Sequence, residues 1–252
     1  MKHIGKWYYC TIIVLLFLLS CQREINVSDN FEAPKLSNIW STDRMESTSF
    51  QIQSAIVRKG KHLAMITLRT GDVSEAATAK SLATERDELC EKESLYSIEG
   101  PAYEYKFSMF IPGNFPIVNT RLVIAQWKQV CPGGMCDDDS PVIAIRYVAG
   151  KLFITHNTDT GRIILYQLND EVRNKWMDFR FRIRFSKQNN GVLMAYLNDK
   201  EIINYKGVLS YSAIRGYNTK NWYYFKMGLY RDVMAEPMSI FIDEYSKREI
   251  VK

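Results

Sequence analysis

The chain has 252 residues, of which 46% are hydrophobic, so it is long enough to bury a large core in one all-β domain or in two small domains. Its formal net charge is +5, and no nucleic-acid-binding motif accompanies this mild excess of base, which excludes nucleic acid as the expected partner. Aromatic residues make up 13% of the chain, a content that favours β-strands and also suits surfaces that bind sugars.

The first twenty residues form a targeting segment. Lys2 and Lys6 precede an apolar run at 11–19 that is too short to span a bilayer. The run ends in Leu-Leu-Ser-Cys21, which resembles the lipobox of bacterial lipoproteins. The resemblance implies that a signal peptide at 1–20 is removed and that lipid on Cys21 anchors an exported protein to a bacterial membrane. The alternative is an uncleaved anchor in which Cys21 is incidental. Cleavage lowers the formal net charge from +5 to +3, because two lysines and no acids leave.

The rest of the chain predicts one domain. Residues 21–47 are polar and irregular, so we interpret them as the lipidated cysteine and a tether, followed by a folded domain at 48–252. Beyond residue 48 the hydrophobic pattern has a period of two, which predicts β-strands. The predicted strands are 50–53, 62–68, 103–111, 122–127, 142–148, 151–156, 162–168, 177–185, 192–197, 201–205, 222–231 and 238–245. Without βαβ spacing, this set predicts an all-β fold, a two-sheet antiparallel β-sandwich, and we expect a monomer.

The cysteines fit an exported protein. Beyond Cys21 the chain has Cys90, Cys131 and Cys136. Export permits disulfides, and Cys131 and Cys136 could close a small loop across Pro-Gly-Gly-Met. No second pair of cysteines or histidines lies at the spacing of metal ligands, which disfavours a zinc site.

Three other stretches leave alternatives open. Residues 74–84 are rich in alanine and glutamate and could form a helix or a long loop over a cleft. Asp137, Asp138 and Asp139 could bind calcium, the only cofactor the sequence suggests, or form an exposed acidic loop. The arginines at 180, 182 and 184 alternate with apolar residues, so one sheet face is basic. That face could line a groove for an acidic chain or be solvated.

The strand at 224–230, Tyr-Phe-Lys-Met-Gly-Leu-Tyr, combines a core face with a polar face. Alternation places Phe225, Met227 and Leu229 on one face, toward the core. Tyr224, Lys226, Gly228 and Tyr230 then share the other face. A glycine weakens a strand, so Gly228 indicates a place where something approaches the backbone closely.

Three motifs in this chain resemble those of jelly-roll polysaccharide lyases, such as alginate lyases and heparin lyase I-like enzymes. Residues 224–230 are similar to the signature Tyr-Phe-Lys-x-Gly-x-Tyr strand. Residues 85–89, Glu-Arg-Asp-Glu-Leu, resemble the Arg-x-Glu-Leu motif without its usual second arginine, and 125–128, Ala-Gln-Trp-Lys, resemble the Gln-x-His strand with lysine in place of histidine. With the scaffold around them, the resemblance spans about 103–245. It implies a concanavalin A-like jelly roll and a lyase that cleaves a uronic-acid-containing, anionic polysaccharide by β-elimination.

The resemblance also implies roles for individual residues. Gln126 and Arg86 are the candidates for binding the uronate carboxylate, because arginine offers a planar fork and glutamine an uncharged donor. Tyr224 is the candidate for acid, base or both. Free tyrosine titrates at about 10, and Lys226 on the same face would favour the phenolate. The expected substrate-binding residues are Lys226, Tyr230, Glu88 and His156.

Lys128 is the main departure from the family pattern, because it stands where a histidine is common. A lysine is normally protonated and could bind a carboxylate or sulfate, or act as base if its pKa fell. Three interpretations remain open. Tyr224 performs both proton transfers, His62 or His156 contributes, or the protein only binds sugar.

Two other classes of function compete with the lyase. A glycoside hydrolase on this fold needs two carboxylates facing one another, and no Glu-x-Asp-x-x-Glu strand is present. A non-catalytic glycan-binding surface lipoprotein would use tyrosine and tryptophan to stack on sugars, and the missing histidine supports this alternative.

Overall fold

The computed structural model of the protein describes residues 24–78, 82–131, 133, 136, 140–217 and 221–251. In that part of the chain there are β-strands and short 3₁₀ turns but no α-helix, and therefore no helix long and apolar enough to span a membrane. The proposed signal peptide and Cys21 lie outside the described residues. In chain order, the strands are β1 (Asn26–Asp29), β2 (Trp40–Ser41), β3 (Phe50–Gln53), β4 (Leu63–Leu68), β5 (Thr84–Glu91), β6 (Ser97–Ile98), β7 (Ala102–Phe110), β8 (Leu122–Gln129), β9 (Ile143–Val148), β10 (Lys151–Thr158), β11 (Gly161–Leu168), β12 (Trp176–Arg184), β13 (Gly191–Leu197), β14 (Lys200–Gly207), β15 (Trp222–Asp232) and β16 (Met238–Ile250).

These strands form two antiparallel sheets, which confirms the predicted sandwich. One sheet, called here the back sheet, has the order β14-β13-β12-β7-β16-β4-β3, with β1 paired to β16. The other, called the cleft sheet, has the order β11-β10-β9-β8-β15-β5-β2, with β6 paired to β15. Each of the twelve predicted strands corresponds to a strand of the structure, while β1, β2, β5 and β6 were not predicted.

The core between the two sheets is strongly aromatic. The Trp127 ring of the cleft sheet lies 4.8 Å from Phe225 on the neighbouring strand and 4.6 Å from Phe181 of the back sheet. All three side chains are fully buried, as are Met227 and Leu229. Full burial of such a side chain contributes about 1.5–3 kcal/mol. The predicted inward face of the strand at 224–230 is therefore confirmed.

The folded domain begins before residue 48, so the expected boundary is wrong. β1 pairs with β16 and β2 pairs with β5, which attaches this segment to both sheets. Phe31 and Trp40 are buried in the core, and the Trp40 indole nitrogen donates to Asp29 Oδ2 at 2.9 Å. Apolar residues isolated in a polar stretch give no periodic signal, because the strands they anchor are too short.

The segment at 74–84 is not helical where it is described. Glu75 pairs with Thr84 in an isolated antiparallel bridge, and residues 79–81 lie outside the described part. The chain then enters β5, whose charged sequence Thr-Glu-Arg-Asp-Glu-Leu-Cys-Glu concealed a strand. Its charges are buried with partners. Glu85, for example, lies 2.6 Å from the Arg231 guanidinium, and both side chains are fully buried.

A polar contact joins the two sheets inside the sandwich. Glu91 of β5 accepts a hydrogen bond from the Tyr245 hydroxyl at 2.5 Å and lies 2.9 Å from Lys247 Nζ, both on β16. The same carboxylate accepts the backbone N–H of Phe225 at 3.1 Å. Burial lowers the pKa of Lys247, while Glu91 acts in the opposite direction. Glu91 therefore holds β15 and the back sheet together directly behind Tyr224.

Candidate active site

A large cleft crosses the cleft sheet. It has a volume of about 1630 Å³ and extends from Trp40 on β2 to Arg162 on β11, so its length runs across the strands. Among its described lining residues, basic side chains outnumber acidic ones by eight to four. The basic residues are Arg44, Arg86, Lys92, Arg121, Lys128, Arg146, Arg162 and Lys226, and the acidic residues are Asp43, Glu75, Glu91 and Glu93. The cleft therefore offers a positive field to an anionic ligand.

Strand register brings six of the predicted site residues together on the cleft floor. Tyr224 of β15 pairs with Lys128 of β8, and Lys226 pairs with Gln126. On the opposite side of β15, Tyr230 pairs with Arg86 of β5. Neighbouring strands are about 4.8 Å apart, so side chains of paired residues on one face are adjacent.

The backbone conformation requires a glycine at position 228. Its φ is +146°, a region that other residues rarely adopt. A Cβ there would collide with the Asp87 carbonyl oxygen and lie 2.8 Å from the Glu88 Cα. The close approach predicted from the sequence is real, but the approaching group is β5. The register of β15 against β8 also shifts between Met227 and Tyr230, as expected at a bulge.

Glu88 lies below the cleft surface and orients its neighbours. The side-chain amide nitrogen of Gln126 donates to Glu88 Oε1, and Lys226 Nζ lies 3.4 Å from Oε2. Arg86 approaches the same oxygen at 3.9 Å. Glu88 is 1% exposed and does not line the cleft, so the expectation that it binds substrate is corrected to a positioning role. An amide nitrogen carries two N–H groups, so Gln126 keeps a donor for a ligand.

Tyr224 is held in place by the predicted neighbour Lys226 and by Tyr96, which the sequence did not reveal. The Tyr96 ring stacks on it with 5.1 Å between ring centroids, and Lys226 Nζ lies 5.7 Å from the Tyr224 centroid. Burial raises the pKa of Tyr96 to about 12 and that of Cys90 to about 11. Tyr96 and Cys90 are therefore neutral at neutral pH. Tyr96 follows a 3₁₀ turn at Glu93–Leu95, where no period marks its direction.

Tyr230 and Arg86 form the part of the floor nearest the 74–84 segment. The Arg86 guanidinium carbon lies 4.4 Å from the centroid of the Tyr230 ring, and Arg121 donates to the Tyr230 hydroxyl at 3.3 Å. Glu75 lies 2.7 Å from Arg86 and 3.1 Å from Arg44. Of the two alternatives for 74–84, the described residues therefore support a loop beside the cleft.

Arg146 is a buried cleft residue that the sequence analysis missed. It lies on β9 and donates from Nε to Thr155 Oγ1 at 3.2 Å. Burial, followed by the charges of Arg162 and Arg121, lowers its pKa to about 10. An arginine in the otherwise apolar strand Ile143–Val148 is the signal that could have identified it.

Neither His62 nor His156 reaches the cleft. His156 is fully buried, and its ring nitrogens lie 2.9 Å from the backbone carbonyls of Val142 and Val208. Burial lowers its pKa, and the two carbonyls oppose that shift. The expectation that His156 binds substrate is wrong. His62 lies beside Glu32 at the start of β4 in the back sheet, so the interpretation in which a histidine replaces Lys128 also fails.

The remaining predicted features lie elsewhere. Arg180 and Arg182 are on β12 of the back sheet, where they contact Tyr196 and Glu104, so this basic face does not line the cleft. Cys131 and Cys136 form a disulfide, and Cys131 is at the cleft rim. Asp137, Asp138 and Asp139 lie outside the described residues. Within the described ones, no group of three metal-ligating side chains occurs.

Comparisons with known proteins agree with this geometry. A family model described as polysaccharide lyase matches residues 31–246. No curated protein matches the chain. Among solved structures, it is similar to an endo-β-1,4-glucuronan lyase from the fungus Trichoderma reesei, with a TM-score of 0.66 and 16% identity over 84% of this chain and 92% of that chain.

Two further structures share the fold. The alginate lyase AlgAT5 from polysaccharide lyase family 7 has a TM-score of 0.53 and 15% identity, over 82% of this chain and 85% of that chain. The cellulose-induced protein Cip1 has a TM-score of 0.54 and 9% identity, over 88% of this chain and 96% of that chain. At such identities the likeness shows a common jelly-roll sandwich.

Proposed function

This chain belongs to the polysaccharide lyase family, and from that membership we propose that it cleaves a uronic-acid-containing polysaccharide by β-elimination. The observation that carries the proposal is the convergence of Tyr224, Lys128, Gln126 and Lys226 on one cleft floor. The basic lining supports an anionic substrate, and the similar structures include a glucuronan lyase and alginate lyases.

The reaction makes two demands on the cleft. A base removes the C5 proton of the uronate, the C5–H electrons form a C4–C5 double bond, and the C4–O bond breaks. An acid then protonates the departing oxygen. Negative charge builds on the carboxylate as the proton leaves, so hydrogen-bond donors must be placed there in advance.

Gln126, Lys226 and Arg86 meet the demand for donors at the carboxylate. Glu88 contacts all three side chains from below, which fixes them before substrate arrives. Gln126 offers its second amide N–H, and Lys226 and Arg86 supply positive charge. Because the donors are held by a buried carboxylate, little reorganisation is needed when charge develops on the substrate.

Tyr224 meets the demand for a base and an acid. Its phenol can accept the C5 proton as a phenolate and donate a proton to the leaving oxygen, which restores its initial state. Lys226 near its ring and Lys128 as its cross-strand neighbour favour the phenolate by charge attraction. With His62 and His156 away from the cleft, Lys128 acts as a cation and Tyr224 transfers both protons.

The proposal is tested with a panel of uronate polymers, including polyglucuronate, polymannuronate and polyguluronate. The ultraviolet absorbance of the C4–C5 double bond reports cleavage directly. We expect product from at least one polymer and a loss of about 10²-fold or more in Tyr224→Phe, the range for removing a general acid or base. Tyr196→Phe, on the back sheet, is the matched control and should retain activity.

The second candidate, a non-catalytic glycan-binding protein, is favoured by Lys128 at the position of the family's histidine. It predicts saturable binding to a polymer with no absorbance change. If the protein binds a polymer but releases no product from any polymer of the panel, the lyase proposal is overturned. A rise that persists in Tyr224→Phe would instead remove Tyr224 from its catalytic role.

We also propose that the protein is exported and held on a bacterial membrane by lipid on Cys21, and that it acts there as a monomer without a required cofactor. The disulfide supports an oxidising compartment. Cys21→Ala should move the protein from the membrane fraction to the soluble fraction. Chelation by EDTA tests whether calcium at Asp137, Asp138 and Asp139 contributes.

A further inference from the structure

Two arginines face the cleft from the strands beyond β8, on the side away from Arg86. Arg146 of β9 is 7% exposed, and Arg162 of β11 is exposed. Both line the cleft and both are held by the strand between them. Arg146 donates from Nε to Thr155 Oγ1 at 3.2 Å, and Arg162 donates from Nε to Asn157 Oδ1 at 3.1 Å.

The partners of these arginines are neutral. Thr155 and Asn157 are buried on β10 and fix each guanidinium through its Nε group. Within the part of the chain that the structure describes, no carboxylate forms an ion pair with Arg146 or Arg162. The terminal N–H groups of each planar fork therefore have no described protein acceptor.

The opposite end of the cleft is different. There Arg86 and Arg44 share Glu75, and Lys226 is paired with Glu88. A buried cation without a counter-ion is unfavourable, and Arg146 is crowded by the charges of Arg162 and Arg121, which contribute to its lowered pKa. A bound anion would remove this imbalance, and a guanidinium fork fits a carboxylate through two parallel hydrogen bonds.

The sheet register shows where this anion would lie. Arg86, Tyr230, Val123 and Arg146 occupy one row across four adjacent strands. Gln126 of β8 pairs with Ala144, two residues before Arg146 on β9, and Arg162 of β11 pairs with Asn157 of β10. A polysaccharide that crosses the strands therefore passes from the proposed carboxylate site at Gln126 to Arg146 and then to Arg162.

Building on the proposed function, we propose that Arg146 and Arg162 form a second anion subsite, which binds the carboxylate of a uronate sugar adjacent to the one that is cleaved. This second subsite would select among substrates by the spacing of their acidic sugars. Polymers with consecutive acidic sugars occupy both subsites, whereas polymers with isolated uronates occupy only the site at Gln126.

Binding is measured in the Tyr224→Phe background by calorimetry, with two oligosaccharide probes of equal length. One has consecutive uronates and the other has a single uronate flanked by neutral sugars. For the first probe, Arg146→Gln should weaken binding by about tenfold, as expected when a charge-assisted hydrogen bond is lost. For the second probe, the same substitution should change the dissociation constant less than twofold.

Arg162→Gln provides the same test at an exposed position, in case Arg146→Gln does not fold. Arg180→Gln on the back sheet is the control for a general loss of positive charge. A sulfated neutral oligosaccharide forms the third arm. If Arg146→Gln weakens its binding as strongly as that of the consecutive uronates, the subsite selects sulfate esters as well and the assignment to carboxylate is overturned.

The outcomes separate the two proposals. Equal affinity of the arginine variants and the parent for consecutive uronates overturns the subsite, even if the polymer is cleaved. Arginine-dependent binding with no cleavage by the unsubstituted enzyme supports the subsite and overturns the lyase proposal. If neither probe binds, the subsite is overturned, while the absorbance assay on the polymer panel decides the lyase proposal separately.

Discussion

At the scale of single residues, the cleft floor is built from charged groups that hold one another. Glu88 contacts Gln126, Lys226 and Arg86 from below, while Glu75 holds Arg86 from the loop side. Alternation along the sequence was sufficient to predict that Tyr224, Lys226 and Tyr230 share a face. It could not predict that Glu88 is covered or that His156 is buried, because burial of a polar group depends on partners that are distant in sequence.

Lys128 allows a test between electrostatic and proton-transfer roles. Arginine keeps the positive charge but cannot be deprotonated in a protein. If Tyr224 moves both protons, Lys128→Arg should retain kcat within about tenfold, whereas Lys128→Gln should lose about 10²-fold, the typical result of removing one electrostatic contact to the transition state. Initial rates on the preferred polymer provide the measurement.

The two variants also identify the opposite case. Equal losses of kcat in Lys128→Arg and Lys128→Gln would show that Lys128 must release a proton, and Tyr224 would then keep only one of the two transfers. Circular dichroism of each variant establishes that the fold is unchanged.

At the scale of elements, the site depends on the close packing of β5 against β15. β15 was predictable because its inward residues are apolar and its outward residues polar. β5 was not, since both of its faces carry charges that find buried partners, such as Glu85 with Arg231. A hydrophobic pattern detects a strand that packs against apolar side chains and misses one that packs against ions.

Gly228→Ala should disturb this packing. The alanine Cβ would meet the β5 backbone, and the positive φ adds strain of about 1–3 kcal/mol. Gly161 has a similar φ of +141° but nothing within 4 Å of a Cβ, so Gly161→Ala reports the strain alone. Urea unfolding should show a larger loss of stability in Gly228→Ala than in Gly161→Ala. Equal losses would mean that β5 moves aside.

At the scale of the whole molecule, the sandwich could be predicted from strand number and spacing, but its beginning could not. Two short strands and two isolated aromatic residues, Phe31 and Trp40, attach the N-terminal segment to both sheets. Which sheet carries the cleft was also beyond the sequence, because both sheets have polar outer faces. The basic stripe around Arg180 and Arg182, for example, lies on the back sheet.

A chain that begins at residue 48 should therefore fail to fold. Removing a buried phenylalanine or tryptophan side chain costs about 3–5 kcal/mol, so losing Phe31 and Trp40 removes about 6–10 kcal/mol. That is comparable with the whole stability of a typical domain, about 5–15 kcal/mol. Thermal unfolding of chains that begin at residues 24 and 48 makes the comparison. If the chain that begins at residue 48 unfolds cooperatively at the same temperature as the longer chain, the domain does begin at residue 48.

Stability should also depend on pH through Asp87. Burial, with a contribution from Asp72, raises the pKa of this carboxyl to about 7. The folded state therefore keeps a proton that the unfolded state releases above about 4. The free energy of unfolding should fall as pH rises from about 4 to about 7 and then level off.

Asp87→Asn removes this titration. In urea unfolding, the unsubstituted protein should lose stability relative to Asp87→Asn as the pH rises from about 4 to about 7. Asp170→Asn, at an exposed position, is the control and should show the same pH dependence as the unsubstituted protein. Parallel curves for Asp87→Asn and the unsubstituted protein would show that Asp87 is ionised in the fold throughout the window.

The carboxylate of Glu91 has a mechanical consequence. It binds the backbone beside Tyr224 on one sheet and two side chains, Tyr245 and Lys247, on the other. Sliding of one sheet over the other would pull on the segment that presents the phenol to the substrate. The packing of the two sheets is thus coupled to the position of the Tyr224 phenol. On heating, activity should therefore be lost at the temperature at which the two sheets separate, and not below it.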